Sequence, residues 1–350
     1  MNFASDNTAG IAPAILDAIA RANDGFAPGY GDDATTKDVE RRLSALFERE
    51  VAAFLVPTGT AANALAIAHI TPPWGAVLCH AECHLAVDEC GAPEFFGGGL
   101  KLVGLPGEAC KLGAGTVAAA LERGPWGGPH HVTAAALTLT QATEAGTIYR
   151  PDEIRGLCEI AHRHGLAVHV DGARFGNALA RMNVTPAEAT WKAGVDVMSF
   201  GATKAGALAA EAVVFFDPGR AAGMAERRKR SGHLVSKHRF LAAQFEAYLA
   251  DDLWLALARH ANKMADRLAE GLAAARLQPV WPVEANEVFI ALPPAADRRL
   301  RAAGASYHRW PTGSLPEGLT LGAAKLVRLV TSFATTADEV DRFVAVAADA

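Results

Sequence analysis

The sequence predicts an α/β fold: a mostly parallel, mixed sheet covered by helices, followed by a smaller carboxy-terminal α+β part. Three observations carry this. Short apolar runs alternate with helix-patterned segments over most of the 350 residues. Several runs are apolar on both faces, as strands sandwiched between helical layers must be. Beyond residues 219–260, which read as helical and charged, the pattern shortens to two strands and a closing helix. The expected division is a large domain over 1–235 and a small one over 236–350.

Taken in order, the apolar run Ala52–Val56 ends at the turn Pro57-Thr58-Gly59. Strands are expected at Ala76–Cys79, Leu100–Leu105 and Ala134–Thr140. Pro151 then opens a helix, where its missing N–H costs nothing. Ile154, Leu157, Cys158 and Ala161 follow at the spacing of one buried face, and Gly165 is a left-handed stop. The next strand, Leu166–Asp171, is apolar on both sides until its end. Further strands are expected at Val195–Phe200, Ala212–Phe216, Val288–Leu292 and Lys325–Ser332. Thr336 and Glu339 form a capping box for a last helix running to the end of the chain.

Bulk properties exclude several functions. Hydrophobic residues make up 51% and charged residues 20%, the composition of a chain with a substantial core. Net charge is -5, and the densest basic stretch, Arg227-Arg228-Lys229-Arg230, is short and follows Glu226. It reads as a solvated helix face or as an anion site. Nucleic acid and membrane surfaces are not expected partners. No apolar stretch approaches the roughly 18–20 residues of a membrane span, and the amino terminus lacks a signal-peptide pattern. Five cysteines at irregular spacings argue against a disulfide framework and for a reducing cytoplasm.

Polar groups that follow apolar strands lie at the carboxyl edge of the sheet, where α/β proteins bind ligands. Three places qualify. Pro57-Thr58-Gly59-Thr60-Ala61-Ala62-Asn63 is a glycine turn opening a helix, either punctuation or a phosphate cradle at the helix amino terminus. Asp171-Gly172-Ala173-Arg174 places an acid at the end of a buried strand, where it needs a partner. That partner is Arg174 in a structural pair, or a protonated pyridine nitrogen. Lys204, in Gly201-Ala202-Thr203-Lys204-Ala205-Gly206, follows an apolar strand among small residues. It is a loop-tip lysine or an amine held as a nucleophile towards carbonyls. Together the three supply what a pyridoxal 5'-phosphate site needs: a phosphate cradle, an acid for the ring nitrogen and a Schiff-base lysine. Cys79-His80-Ala81-Glu82-Cys83-His84 invites a zinc reading. No second ligand cluster follows it, and no metal is expected.

With these residues stand Ser5-Asp6-Asn7-Thr8, Tyr30-Gly31-Asp32-Asp33, His84 and Leu326-Val327-Arg328-Leu329-Val330-Thr331. As an ordered set they resemble the L-threonine aldolase group of the aspartate-aminotransferase-like (fold type I) pyridoxal phosphate enzymes, over nearly the whole chain. The resemblance implies that Lys204 carries the cofactor, that Asp171 faces its pyridine nitrogen, and that Gly59 and Thr60 serve its phosphate. It implies that His84 stacks on the ring and senses the substrate hydroxyl. Ser5, Arg174 and Arg328 hold the substrate carboxylate, with Arg174 also at the cofactor. Tyr30 reaches a neighbouring subunit's site in a homo-oligomer, usually a tetramer.

Arg328 can be read independently. It shares a strand face with Leu326 and Val330, and a guanidinium there needs an anion. A substrate carboxylate or a structural Asp or Glu would serve. Two departures from the family pattern stand out. Glu144-Ala145 replaces a common His-Asn pair, and Ala205 follows the lysine. Glu144 is then the base for the hydroxyl proton, acts through a water, or orients His84. The expected reaction is retro-aldol cleavage of a β-hydroxy-α-amino acid to glycine and an aldehyde. β-Elimination, transamination or racemisation on the same scaffold, and a cofactor-free binding protein, are the competing readings.

Overall fold

The computed structural model describes residues 1–313 and 315–348. Ten strands follow in chain order: β1 (Ala52–Val56), β2 (Gly75–His80), β3 (Lys101–Leu105), β4 (Thr133–Thr140), β5 (Ala167–Gly172), β6 (Val197–Gly201), β7 (Glu211–Phe215), β8 (Glu287–Leu292), β9 (His308–Arg309) and β10 (Lys325–Val330). The first seven form one sheet in the order β1-β7-β6-β5-β4-β2-β3. β3, β2, β4, β5 and β6 pair in parallel, and β7 is antiparallel to both of its neighbours. The expected mostly parallel, mixed sheet is what forms, and β7 alone runs the other way.

That reversal places the site. Polar residues at the carboxyl ends of β1, β2, β4, β5 and β6 come to one edge. The first residue of β7, Glu211, reaches the same edge because it pairs with Gly201 and with Val56. Across the middle of the sheet, the buried His169 ring bridges Thr138 Oγ1 at 2.8 Å and Ser199 Oγ at 3.0 Å. Burial holds its ionisation down at about 4, so it is a neutral crosslink between β4, β5 and β6 beside Asp171.

Each face has its own core. On one face Phe200 packs among Phe47, Phe175, Phe245, Tyr248 and Trp254, with ring centroids 5.7–6.2 Å apart. On the other lies the helix Gly59–Ile70, buried from Ala61 through Ala68. Its alanines let it sit close to Val197, Val213 and Phe215. A helix buried all round carries no polar stripe.

The small sheet, in the order β8-β10-β9, is antiparallel throughout. Val288, Ile290, Val327 and Leu329 form its core, and Phe3 packs there against Phe343 at 5.0 Å. The amino terminus is held by Phe3 N–H to Ser306 O and Val330 N–H to Phe3 O. The helix Leu253–Ala274 joins the two sheets. Asn262 exchanges hydrogen bonds with Asn177 of the helix Phe175–Met182, and Arg267 pairs with Asp341 of the helix Ala337–Ala348.

Local expectations are met at several points. Pro151 opens the helix Pro151–Arg163, Gly165 has φ 76°, and Thr336 and Glu339 cap each other. The capped helix is described to Ala348, and its expected last two residues lie outside the described ones. Two strands differ from expectation by two residues at one end. Val195 belongs to a turn, its N–H bonded to Thr190 O, so β6 starts at Val197. β10 stops at Val330 because Ser332 turns back onto Thr335.

At the site edge, β5 and β6 approach closely. A Cβ on Gly201 would lie 2.8 Å from Ala173 Cα and 2.9 Å from its carbonyl oxygen. Gly201→Ala is therefore expected to cost about 1–3 kcal/mol of stability, read from urea unfolding of the two proteins.

Candidate active site

One cavity of about 1000 Å³ opens at this edge. Its wall includes Ser5, Gly59, Thr60, Asn63, His84, Glu144, Asp171, Arg174, Lys204, Glu211, Glu287 and Arg328. All the sequence-predicted site residues converge here except Tyr30. That residue is half exposed at φ 61°, with its N–H on Ser236 O and its ring 4.5 Å from Lys229 Nζ.

The glycine turn opens a helix at the cavity wall. Thr58 caps the helix Gly59–Ile70, its hydroxyl accepting Ala61 N–H at 3.1 Å. Gly59 and Thr60, in the first turn, line the cavity, where a helix amino terminus leaves N–H groups without an intrahelical acceptor. Asp171 is buried at the end of β5, its carboxylate accepting Asn63 Nδ2 at 2.9 Å and Ala173 N–H at 3.0 Å. It does not pair with Arg174, the structural alternative left open by the sequence. Lys204 sits in a short turn, half buried, and makes no hydrogen bond or ion pair among the described residues. Thr203 Oγ1 accepts Ala210 N–H and fixes the loop.

Arg174 turns to the amino-terminal segment. Its Nε and Nη2 donate to Asp6 at 2.8 and 3.1 Å, and its Nη1 lies 3.5 Å from Glu287. Asn286 Nδ2 also donates to Asp6. Burial pushes the Asp6 carboxyl up, but Arg174 and Lys204 outweigh it and hold it below the usual range. Arg328 Nη1 is 3.5 Å from the other Glu287 oxygen, and its guanidinium lies 4.2 Å from the Trp310 ring.

His84 follows β2. Its Nδ1 is 2.9 Å from Glu89 Oε1, and Glu89 also accepts Asn63 Nδ2 at 2.8 Å. Asn63 thus links the His84–Glu89 pair to Asp171. The Glu89 hydrogen bond raises His84 above the ordinary histidine value, with burial opposing it. With Nδ1 donated to Glu89, Nε2 is left as the proton acceptor. Glu144 Oε1 accepts the His84 backbone N–H at 2.8 Å, so Glu144 holds the start of the His84 turn. Its own loop is tied by Gln141 to both backbone groups of Tyr149. Burial brings the Glu144 carboxyl up to about 7, and does the same for Glu211.

Glu89, Asn63, Glu211, Asp6 and Glu287 were not singled out from sequence. Asn63 and Asp6 lay inside quoted motifs without a role. Glu89 follows His84 by little more than a helical turn, a spacing that could have flagged it. Nothing local marks Glu211 or Glu287. Of the zinc-like hexapeptide, only His84 faces the cavity with a carboxylate partner. Cys79 donates to Val103 O, and His80 bonds Gly107 O. His84, Glu89 and Asp171 could geometrically hold an ion, their ligand atoms lying within 4.8 Å of one another. Asn63 and the histidine hydrogen bond already account for that arrangement.

The residues present fit pyridoxal phosphate. A helix amino terminus, a buried carboxylate and an unpaired lysine line one cavity. Asn63 Oδ1 and one oxygen each of Glu89 and Glu144 are buried there without a hydrogen-bond partner among the described residues.

The model of the beta-eliminating lyase family matches residues 2–293. The low specificity L-threonine aldolase of Pseudomonas aeruginosa is 44% identical over 304 residues, covering 86% of this chain and 87% of that protein. A Pseudomonas sp. protein of the same name is 41% identical over the same shares. The solved threonine aldolase of Leishmania major superposes with a TM-score of 0.91 at 30% identity, over 99% of this chain and 98% of that one. The serine palmitoyltransferase of Sphingomonas wittichii, at 16% identity and TM-score 0.72, covers 99% of this chain and 86% of its own, and shares the fold.

The Glu144 carboxyl gives a test. Its folded value near 7 lies above the ordinary 4.5. The fold therefore favours the protonated acid, and stability falls as pH rises from 4.5 to 7. Glu144→Gln removes this cost while its amide oxygen still accepts the His84 N–H. The variant should be more stable than the parent by on the order of 3 kcal/mol at pH 8, and by much less at pH 5. Denaturant midpoints at the two pH values measure it.

Proposed function

The chain belongs to the beta-eliminating lyase family, and on that premise we propose that it cleaves L-β-hydroxy-α-amino acids to glycine and an aldehyde with pyridoxal phosphate as cofactor. The single supporting observation is the convergence of Lys204, Asp171, the Gly59 turn and two arginines on one cavity. The names carried by the relatives point the same way. L-Threonine, L-allo-threonine and L-phenylserine are the substrates to try.

Lys204 would hold the cofactor through Nζ, Asp171 would face its pyridine nitrogen, and Gly59 and Thr60 would serve its phosphate. His84 would stack on the ring, with Arg174 beside it. When bound, pyridoxal phosphate supplies an electron sink for the pair released as Cα–Cβ breaks. Arg328, Arg174 and Ser5 fix the substrate carboxylate, which orients that bond. Such positioning supplies several kcal/mol, on the order of 7 or more in the best cases. His84 Nε2 takes the hydroxyl proton, since Nδ1 is committed to Glu89. Glu144 is the second candidate for that proton, because burial poises its carboxyl at about 7 in the same cavity. Asp171 would hold the proton on the pyridine nitrogen, which lets the ring take up the released pair.

The assembly we propose is a homotetramer, a dimer of dimers, in which Tyr30 contributes to a neighbour's site. Fully exposed Phe26 and half-exposed Tyr30 on one segment support it. A cytoplasmic setting is supported by Cys79, Cys83, Cys90 and Cys158, which carry free thiols. No described helix is long and apolar enough to cross a membrane. The family's name keeps β-elimination as the second reading.

The purified protein should release aldehyde and glycine in equal amounts from at least one of the three substrates. Ammonia and a keto acid instead would assign it to elimination. Lys204→Ala should lose the visible absorbance of the bound cofactor and bring aldehyde release down to background.

A further inference from the structure

Glu287 is the least explained charge in the cavity. It is 1% exposed, and neither carboxylate oxygen has a hydrogen-bond partner among the described residues. Each oxygen instead lies 3.5 Å from a different arginine, Oε2 from Arg174 Nη1 and Oε1 from Arg328 Nη1. Charge-assisted pairs normally close to about 2.7–2.9 Å. The Asp6–Arg174 pair in the same cluster does so, at 2.8 Å. Asp6 is thus the structural partner of Arg174, and Glu287 stands back from both cations. Arg328 Nε is also buried without an acceptor among the described residues. Two acceptor atoms of Glu287 and one donor of its neighbour Arg328 are thus buried without hydrogen bonds among the described residues.

The backbone fixes this placement. Glu287 opens β8 opposite Val330, and the diagonal brings it beside Arg328 on the same face. Behind it the Gly146 turn (φ 73°) is so close that a Cβ there would lie 3.1 Å from Glu287 Cβ and from its carbonyl oxygen. The main chain cannot retreat, so Glu287 can leave the arginines only by rotating its side chain.

We infer that Glu287 sets the affinity of the carboxylate site: it is an internal carboxylate set between Arg174 and Arg328 that an incoming substrate carboxylate must push aside or tolerate. This rests on the reading that these arginines hold the substrate carboxylate. Were Glu287 absent, Arg328 and the Nη1 side of Arg174, which Asp6 leaves open, would grip any small carboxylate, including that of glycine, the product, which has no side chain to add contacts. A like charge a few ångströms away opposes that grip by about tenfold or more. Substrates with a Cβ substituent meet the same opposition at their carboxylate and offset it with the contacts of their side chains. Glu287 therefore weakens product retention and keeps simple anions out of the cation pair.

The test titrates glycine into the holoenzyme and follows the visible absorbance of the cofactor. Glu287→Gln should lower the glycine Kd about tenfold or more, and acetate should compete with glycine at correspondingly lower concentration than in the parent. Glu287→Leu, which removes the charge without an amide, should move both readouts the same way and serves if the Gln variant does not fold. An unchanged or raised Kd in a variant with the parent's spectrum and melting temperature overturns the inference. Arg328→Lys forms a separate arm and should weaken glycine binding in either background. If it leaves Kd unchanged, the carboxylate site itself is misplaced, a failure of the functional reading and not of Glu287.

Discussion

The ion pair between Arg174 and Asp6 is the contact on which assembly of the cavity depends. Arg174 follows β5 of the large sheet, and Asp6 lies just beyond the residues that pack Phe3 into the small-sheet core. Asn286, just before β8, donates to the same carboxylate. One buried pair therefore joins the amino-terminal segment, the large sheet and the small sheet. Removing one member of such a pair costs about 3–5 kcal/mol, because the other is left charged and unpaired.

Around this pair the cavity gathers more acids than bases. Asp6, Glu89, Glu144, Asp171, Glu211 and Glu287 face Arg174, Arg328 and Lys204. Burial resolves part of the imbalance. It brings Glu144 and Glu211 to about 7 and raises Glu89, so these carboxyls shed their protons late. The rest falls to directed contacts, with Asp6 on Arg174 and Asp171 on Asn63 and a backbone amide. A centre of this kind has proton carriers near neutrality without needing many histidines.

Much of the large sheet was legible because its strands are continuous apolar runs; β1 has the very bounds of its run. Asp171, Lys204 and Gly59 were legible as polar residues following such runs, and the fold brings strand ends together. Glu211 was hidden because its place at the same edge depends on β7 being reversed, and an apolar run carries no sign of its direction. Glu287 was hidden for a similar reason, since its nearness to Arg328 exists only once β8 and β10 pair. The partner of Asp171 was left open between Arg174 and a ring nitrogen. The protein partner proved to be Asn63, one turn into a helix whose alanines conceal its orientation. Tyr30 stands apart from the cavity of its own chain.

Lys204 lies on the loop 202–210 between β6 and β7, which are joined from Val197↔Phe215 to Gly201↔Glu211. Ala202 N–H closes the loop on Ala210 O, and Gly206 O is tied to Ala12 N–H. The hairpin works as a graduated scale. To advance the lysine by one residue, both strands would have to slip, and every side chain on them would turn from one core to the other. Phe200 would leave its aromatic cluster, and Val213 would leave the helix it packs on. The reach of the amine is thereby set in discrete steps by two hydrophobic cores, so small strains elsewhere in the chain do not shift it.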